Sequence, residues 1–205
     1  MNKTQLTNFI TKYTLGGEIK STKWTSDGNS LSTRFISGDK SVVGKVELNN
    51  FSHLKPCELG VYNTGQLSSL LSVLGDDVEV NLSQSGDKFI SMELEDTKRK
   101  TKSKYMLSDL SVIPTPPELK NLPDSFELGI KVDPYFVSTF ISGKGALSEA
   151  ETFTILTENG ETKIVIGYAS IASNRVTIPV ETTKGGEIEP ISFNANMFAS
   201  ILNAN

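Results

Sequence analysis

Four short segments of the chain share one pattern of hydrophobic and polar positions, and this pattern predicts four amphipathic helices. Each segment has apolar residues at positions i, i+3 and i+4, which places three side chains on one helix face. The segments are 4–13, 64–74, 134–144 and 195–205, with the apolar triplets Leu6/Phe9/Ile10, Leu67/Leu70/Leu71, Val137/Phe140/Ile141 and Phe198/Ile201/Leu202. From Leu6 through Leu67 and Val137 to Phe198 the offsets are 61, 70 and 61 residues. This spacing indicates a half-domain used twice in each of two similar domains.

The segments between the helices alternate apolar and polar residues and are separated by turn signals, which predicts strands. Strands are expected after each of the first three helices, at 18–25, 30–36, 42–48, 58–62, 78–82, 88–94, 102–107, 152–156, 163–168, 175–180 and 187–193. The alternation in 78–82 predicts a sheet with one packed face and one face in water. Asn159-Gly160 is typical of a two-residue hairpin turn. The predicted fold class is therefore α+β, with antiparallel sheets and two helices in each domain.

A proline-rich segment at 111–124 predicts the boundary between the two copies. It contains four of the eight prolines, which cannot donate to a sheet, so it is interpreted as an extended connector. We therefore predict an N-terminal domain at 1–110, a connector at 111–124 and a C-terminal domain at 125–205. Three strands are predicted after the second helix but none after the fourth, so we expect the natural second domain to continue for roughly 30 residues.

The composition is that of an acidic globular protein. Its net charge is −4, its isoelectric point is about 5.2, and 37% of its residues are hydrophobic. No apolar stretch approaches the roughly 20 residues that cross a bilayer, so we expect a soluble protein. A domain that is held on nucleic acid by phosphate contacts is normally basic, so the composition alone argues against DNA binding.

The distribution of the charges reverses that argument. For this count the helices are taken with their caps, as 3–13, 63–74, 133–144 and 194–203. A proportional share of the 24 acidic residues would place about five carboxylates in them. Only Asp133 is there, at an expected N-cap, and the basic residues are Lys3, Lys12 and Lys144. An acidic protein that keeps carboxylates out of its repeated helices is expected to turn those helices toward a polyanion. The alternative is that Ser/Asn-rich helices are simply neutral.

A second basic feature is the segment 98–104, which has five cations in seven positions and includes Lys98, Arg99 and Lys100. These cations are candidates for contact with phosphates. Lysines on an edge strand also prevent unwanted pairing with other sheets, and both interpretations stay open at this point.

Candidate catalytic groups are sparse. Cys57 and His53 are the single cysteine and the single histidine, and a nucleophile–base pair would need a further partner to orient the base. The acidic pairs Asp76-Asp77 and Glu93/Glu95 are interpreted as a turn and as exposed strand positions. Gly143-Lys144-Gly145 lacks the spacing of a phosphate-binding loop. We therefore expect no enzymatic activity, no metal and no cofactor.

Two long stretches of the sequence resemble the sliding clamps of T-even bacteriophages. The stretch YNTGQLSSLLSVLGDDVEVNLSQSGDKFI, at 62–90, is similar to the second helix, paired acids and hairpin of that family. The stretch IPTPPELKNLPDSFELGIKVDPYFVSTFISGKGALSEAETFTILTENGETKIVIGY, at 113–168, is similar to its connector, third helix and following strands. Residues 1–55 match in pattern only, and the likeness lies in the order of the elements rather than in a short signature.

The resemblance implies a DNA polymerase processivity factor with the clamp fold, in which sheets form an outer wall and helices line a hole. It implies a homotrimeric ring around duplex DNA in the cytoplasm of an infected bacterial host. The implied partners are the DNA, the replicative polymerase and an ATP-driven clamp loader, together with a role in late viral transcription. Under this hypothesis the DNA-facing cations are Lys3, Lys12, Lys144, Lys98, Arg99 and Lys100.

Clamp-binding proteins of this family insert a short apolar peptide beside the connector. The resemblance makes Leu110, Val112, Ile113 and Pro114 the candidates to line that pocket. The alternative is that these residues only fix the connector to the domain core. The rival function for the whole chain is that of a phage structural or adaptor protein with a duplicated β-rich domain, since fold alone does not determine function.

Overall fold

The computed structural model describes residues 1–118, 125–169, 171 and 173–204. The chain divides into two compact units, Met1–Leu119 and Lys120–Asn203. The described residues form an α+β fold with four antiparallel sheets and four α-helices. The last six residues of the predicted connector, 119–124, lie outside the described residues.

The first unit contains two helices and two sheets. Its helices are α1 (Lys3–Thr14) and α2 (Thr64–Ser72). One short 3-10 turn at Leu15–Gly17 follows α1 directly, and another at Leu110–Val112 follows the last strand of the unit. Its strands are β1 (Thr22–Ser26), β2 (Leu31–Ile36), β3 (Val43–Leu48), β4 (Cys57–Val61), β5 (Val78–Ser85), β6 (Lys88–Asp96) and β7 (Lys102–Met106). They form one sheet in the order β3-β2-β1-β4 and another in the order β5-β6-β7.

The second unit repeats part of this arrangement, namely a helix, a four-stranded sheet and a second helix. Its elements are β8 (Gly129–Ile130), α3 (Pro134–Ala146), β9 (Thr152–Glu158), β10 (Glu161–Ile166), β11 (Val176–Pro179), β12 (Thr182–Lys184), β13 (Ile191–Asn194) and α4 (Ala195–Asn203). The main sheet has the order β11-β10-β9-β13, which matches β3-β2-β1-β4 strand for strand. In both units one helix precedes the sheet and another follows it. The predicted duplication is therefore present in the topology.

The four helices also begin in the same way. Asn2, Asn63, Asp133 and Asn194 each accept a hydrogen bond from a backbone N–H in the first helical turn through their side-chain oxygen. Such a cap satisfies one of the donors that a helix start leaves unpaired. The apolar stripes then face the sheets, where Leu6, Phe9 and Ile10 are buried in the first unit.

The structure departs from the sequence prediction at a few strands. The pair β8/β12 was not predicted, because elements of two and three residues are too short to show alternation. Asn159 and Gly160 have φ values of 54° and 78° in the turn between β9 and β10, which confirms the predicted hairpin. The sheet β5-β6-β7 has no counterpart among the described residues of the second unit.

Candidate nucleic-acid interface and partner groove

The solvent face of α1 is polar and free of carboxylates. Because Leu6, Phe9, Ile10 and Tyr13 are buried against the sheet, the residues between them point to solvent. The exposed residues of the helix are Thr4, Gln5, Thr7, Asn8, Thr11 and Lys12. These side chains can donate hydrogen bonds to phosphate oxygens, and none of them would repel a phosphate.

The other three helices have the same character. Their exposed side chains include Gln66, Ser69 and Ser72 on α2, Tyr135, Ser138 and Ser142 on α3, and Asn196 and Asn203 on α4. Within the four helices the sequence contains no Asp or Glu. Asp133 precedes α3, and its carboxylate accepts from the Phe136 N–H at 2.8 Å. Carboxylates are therefore absent from these faces while the protein as a whole is acidic.

The two lysines of α1 are placed differently. Lys12 is exposed in the last turn of the helix, where a cation also interacts favourably with the helix dipole. Lys3 is half-buried, and its ammonium donates to the backbone carbonyl of Leu74 after α2. Lys3 therefore joins the start of α1 to the end of α2, and Lys12 is the more accessible of the two.

Lys144 is not placed as the DNA-facing hypothesis expects. Its residue exposure is only 9%, and its ammonium donates to the carbonyl of Ser148 at 2.7 Å. The end of α3 lies close to the sheet, since a Cβ atom on Gly143 would approach Val176 to 3.0 Å. The loop that follows the helix then covers the lysine. This burial removes Lys144 from the accessible cations.

The basic segment 98–104 forms the turn between β6 and β7 and continues into β7, which is an edge strand. Lys98 pairs with Asp77 at 2.7 Å, and Lys102 pairs with Glu95 at 2.9 Å. The hydrogen bond to Asp77 raises the pKa of the Lys98 ammonium. Lys100 lies 3.7 Å from Glu95, so much of the positive charge is offset locally. The arrangement agrees better with protection of a sheet edge than with a phosphate surface.

A groove of about 500 Å³ lies in the first unit between the edge of β4 and the β6 hairpin. Its apolar wall consists of Phe89, Ile90, Leu107 and Leu110. Glu58, Asp87, Lys88 and Asp109 add charge at its rim, where Lys88 pairs with Asp109. That pair lowers the pKa of the Asp109 carboxyl, so the rim stays ionised. The groove can hold an apolar side chain beside charged neighbours.

Only one of the four predicted pocket residues lines this groove. Leu110 does, whereas Val112 is 58% exposed and Pro114 is exposed elsewhere on the surface. Ile113 is only 3% exposed and lies against Gly60 of β4. Ile113 therefore fixes the connector to the domain core, which is the alternative interpretation of this residue.

Sequence reasoning missed Phe89 and Ile90, which lie on the opposite wall of the groove. A signal was available, since two adjacent apolar residues break the alternation of a strand. The structure has a register irregularity at this point, between Ser83 and Gln84 of the paired strand. Such an irregularity changes the direction in which neighbouring side chains point, which explains why Ile90 is 40% exposed.

None of the candidate catalytic groups is among the described residues that line this groove. His53 is exposed and its ring contacts Phe51 edge-on, while burial raises the pKa of the half-buried Cys57 thiol. Glu93 and Glu95 bind Lys102. In the part of the chain that the structure describes, no cluster of His, Cys, Asp and Glu could hold a metal ion.

The described helices include none that is long and apolar enough to cross a membrane. No known protein-family model matches the sequence, and no curated protein is similar enough to count as a match.

Proposed function

We propose that this protein is a sliding clamp that encircles duplex DNA and tethers a replicative polymerase in an infected bacterial cell. One observation carries the proposal, namely the absence of carboxylates from all four helices of a protein with net charge −4. Two unit charges 4 Å apart in water interact by about 1 kcal/mol. Carboxylates on a DNA-lining helix would therefore add repulsion at each approach of a phosphate.

The weakness of the positive charge also suits this function. A protein that neutralises many phosphates binds DNA tightly and with a steep salt dependence. A ring is held by topological linkage, so it needs only weak contacts that do not resist sliding. Lys12 among the hydroxyl and amide groups of α1 provides such a surface. The net charge of −4 reduces the non-specific attraction of DNA to the rest of the protein.

The duplicated topology supports a ring built from several similar units. Two units with matching sheets in each chain would give six repeats in a homotrimer, as the resemblance implies. The apolar groove beside Leu110 is the proposed attachment site for a peptide of the polymerase or of the ATP-driven loader. In late viral transcription, the partner protein would attach to the same groove.

Light scattering during size exclusion tests the proposed assembly. We expect the mass of three chains, each of 22.3 kDa, and electron micrographs with a central opening wider than a DNA duplex. A stable monomer, or an assembly without an opening, would overturn the proposal and leave the structural or adaptor function as the better account.

A further inference from the structure

Three cationic side chains form one row across the sheet of the first unit, on the face opposite α1. Lys23 of β1 is directly opposite Arg34 of β2, and Arg34 is directly opposite Lys45 of β3. The other face of the same strands is the packed one, where Trp24 and Thr33 are buried. We call Lys23, Arg34 and Lys45 the cationic row.

The folding of the sheet does not explain the cationic row. Neighbouring strands are about 4.8 Å apart, so the three charges are close together. Like charges that are directly opposite each other destabilise a sheet. The chain is acidic overall, yet it places three cations in register, and their hydrogen bonds to the connector require a donor but not a positive charge.

Two of the three cations in the row have no carboxylate partner within the described chain. Lys23 donates to the hydroxyl of Thr115 at 3.2 Å, and Arg34 donates to the carbonyl of Pro116 at 3.2 Å. Both acceptors are neutral, and within the described chain neither cation has a carboxylate oxygen in an ion pair. Lys45 pairs with Glu47 at 2.7 Å, but the two side chains remain 48% and 39% exposed. An ion pair as exposed as this one is weak, so a carboxylate of a partner can replace Glu47 at little cost.

These contacts also show how a peptide sits on this face. Ile113 lies against Gly60 of β4, Thr115 lies at Lys23 of β1, and Pro116 lies at Arg34 of β2. The start of the connector therefore crosses the sheet along the cationic row as a proline-rich segment. The row binds this segment through neutral groups, although Arg34 has a guanidinium fork suited to a carboxylate.

The neighbouring row on the same face distinguishes a peptide from nucleic acid. Two positions further along the strands, Glu58, Thr25, Ser32 and Glu47 are opposite one another. A duplex that covered both rows would meet the carboxylates of Glu47 and Glu58. An extended peptide that lies beside the connector can reach Arg34 and Lys45 without covering Glu58.

We propose that the cationic row binds an extended, acidic segment of a protein partner, which lies beside the start of the connector. Its carboxylates would pair with Arg34 and Lys45 and replace the exposed contact of Lys45 with Glu47. This proposal does not depend on the encirclement of DNA, because the row is on the sheet face and the carboxylate-free surface is on the helices.

Fluorescence anisotropy of the full chain with labelled peptides tests the proposal. At about 0.1 M salt, an oligo-glutamate peptide should bind and an oligo-glutamine peptide of equal length should not. Lys45→Gln should weaken binding about threefold. Arg34→Gln should weaken it about tenfold, with Arg34→Lys between the two, because lysine keeps the charge but loses the fork.

Lys55→Gln is the matched control, since it removes one exposed lysine that belongs neither to the cationic row nor to the proposed DNA surface. Lys45→Gln has no connector contact to lose, so its effect reports on the ligand alone. The proposal is overturned if the two peptides bind equally, if neither binds, or if Lys55→Gln weakens binding as much as Lys45→Gln. It is also overturned if a labelled DNA duplex binds and that binding is lost in Lys45→Gln.

Discussion

The indole N–H of Trp24 donates a hydrogen bond to the hydroxyl of Tyr13 at 3.2 Å, in the core of the first unit. The same hydroxyl is 3.2 Å from the Thr64 hydroxyl at the start of α2. Tyr13 is fully buried, and its burial raises the pKa of the phenol. One tyrosine therefore connects α1, β1 and α2, and holds the two helices whose solvent faces form the proposed DNA surface.

Tyr13→Phe tests the importance of this connection. The substitution keeps the ring but leaves the Trp24 N–H and the Thr64 hydroxyl without their partner. We expect the free energy of unfolding to fall by about 1–3 kcal/mol, the cost of unsatisfied buried polar groups. Urea denaturation measures it, with Tyr62→Phe as the control because Tyr62 is 58% exposed. Equal effects of the two substitutions would show that the buried bonds add nothing.

Gly60→Ala tests the packing of the connector start on β4. A Cβ atom at this position would lie 2.2 Å from the carbonyl oxygen of Ser108 and 3.5 Å from Ile113. Because the first of these contacts is with a backbone atom, we expect the 108–113 segment to separate from β4 and the free energy of unfolding to fall. Hydrogen exchange at the Ser108 amide, which donates to Gly60, should become faster. Gly38→Ala has open space around its Cβ and should leave exchange unchanged.

Asp96 makes the stability of the β6–β7 turn depend on pH. Its carboxylate accepts from the backbone N–H groups of Arg99, Gly75 and Lys98, which lower its pKa. The stabilisation is present above the unfolded-state pKa of about 3.9 and is lost as the pH falls through the lower folded-state pKa. Urea midpoints between neutral and acidic pH should therefore fall more steeply in the wild type than in Asp96→Asn. Parallel curves would contradict this role of Asp96.

The groove predicts different outcomes for neighbouring connector residues. Leu110→Asp should abolish binding of a peptide from the polymerase tail and leave the fold intact, because Leu110 lines the groove. Ile113→Asp should unfold the first unit, because it buries a charge without a partner. Val112→Asp, on an exposed residue outside the groove, is the control and should bind normally. Titration calorimetry and circular dichroism separate these outcomes, and normal binding by Leu110→Asp would exclude this groove.

The sequence predicts those parts of the fold that depend on local periodicity. The stripe of Leu6, Phe9 and Ile10 predicted α1 because a helix with three apolar side chains on one face must bury that face. The groove could not be predicted in this way, since its wall brings together Phe89, Ile90 and Leu110 from separate parts of the chain. Lys144 could not be placed either, because its burial depends on the loop that returns to Ser148.

Retention on a circular duplex before and after cutting is the measurement that tests the central proposal most directly. The clamp loader and ATP are used to load the protein onto a nicked circular plasmid, and the plasmid with its bound protein is separated from unbound protein. The plasmid in half of the sample is then linearised. Topological linkage predicts that the protein stays on the circle at moderate salt and leaves the linear form by sliding off its ends. Equal retention on both forms would mean ordinary affinity for DNA, and no retention on the circle would mean no linkage. Either of these results would contradict the proposal that this protein is a sliding clamp.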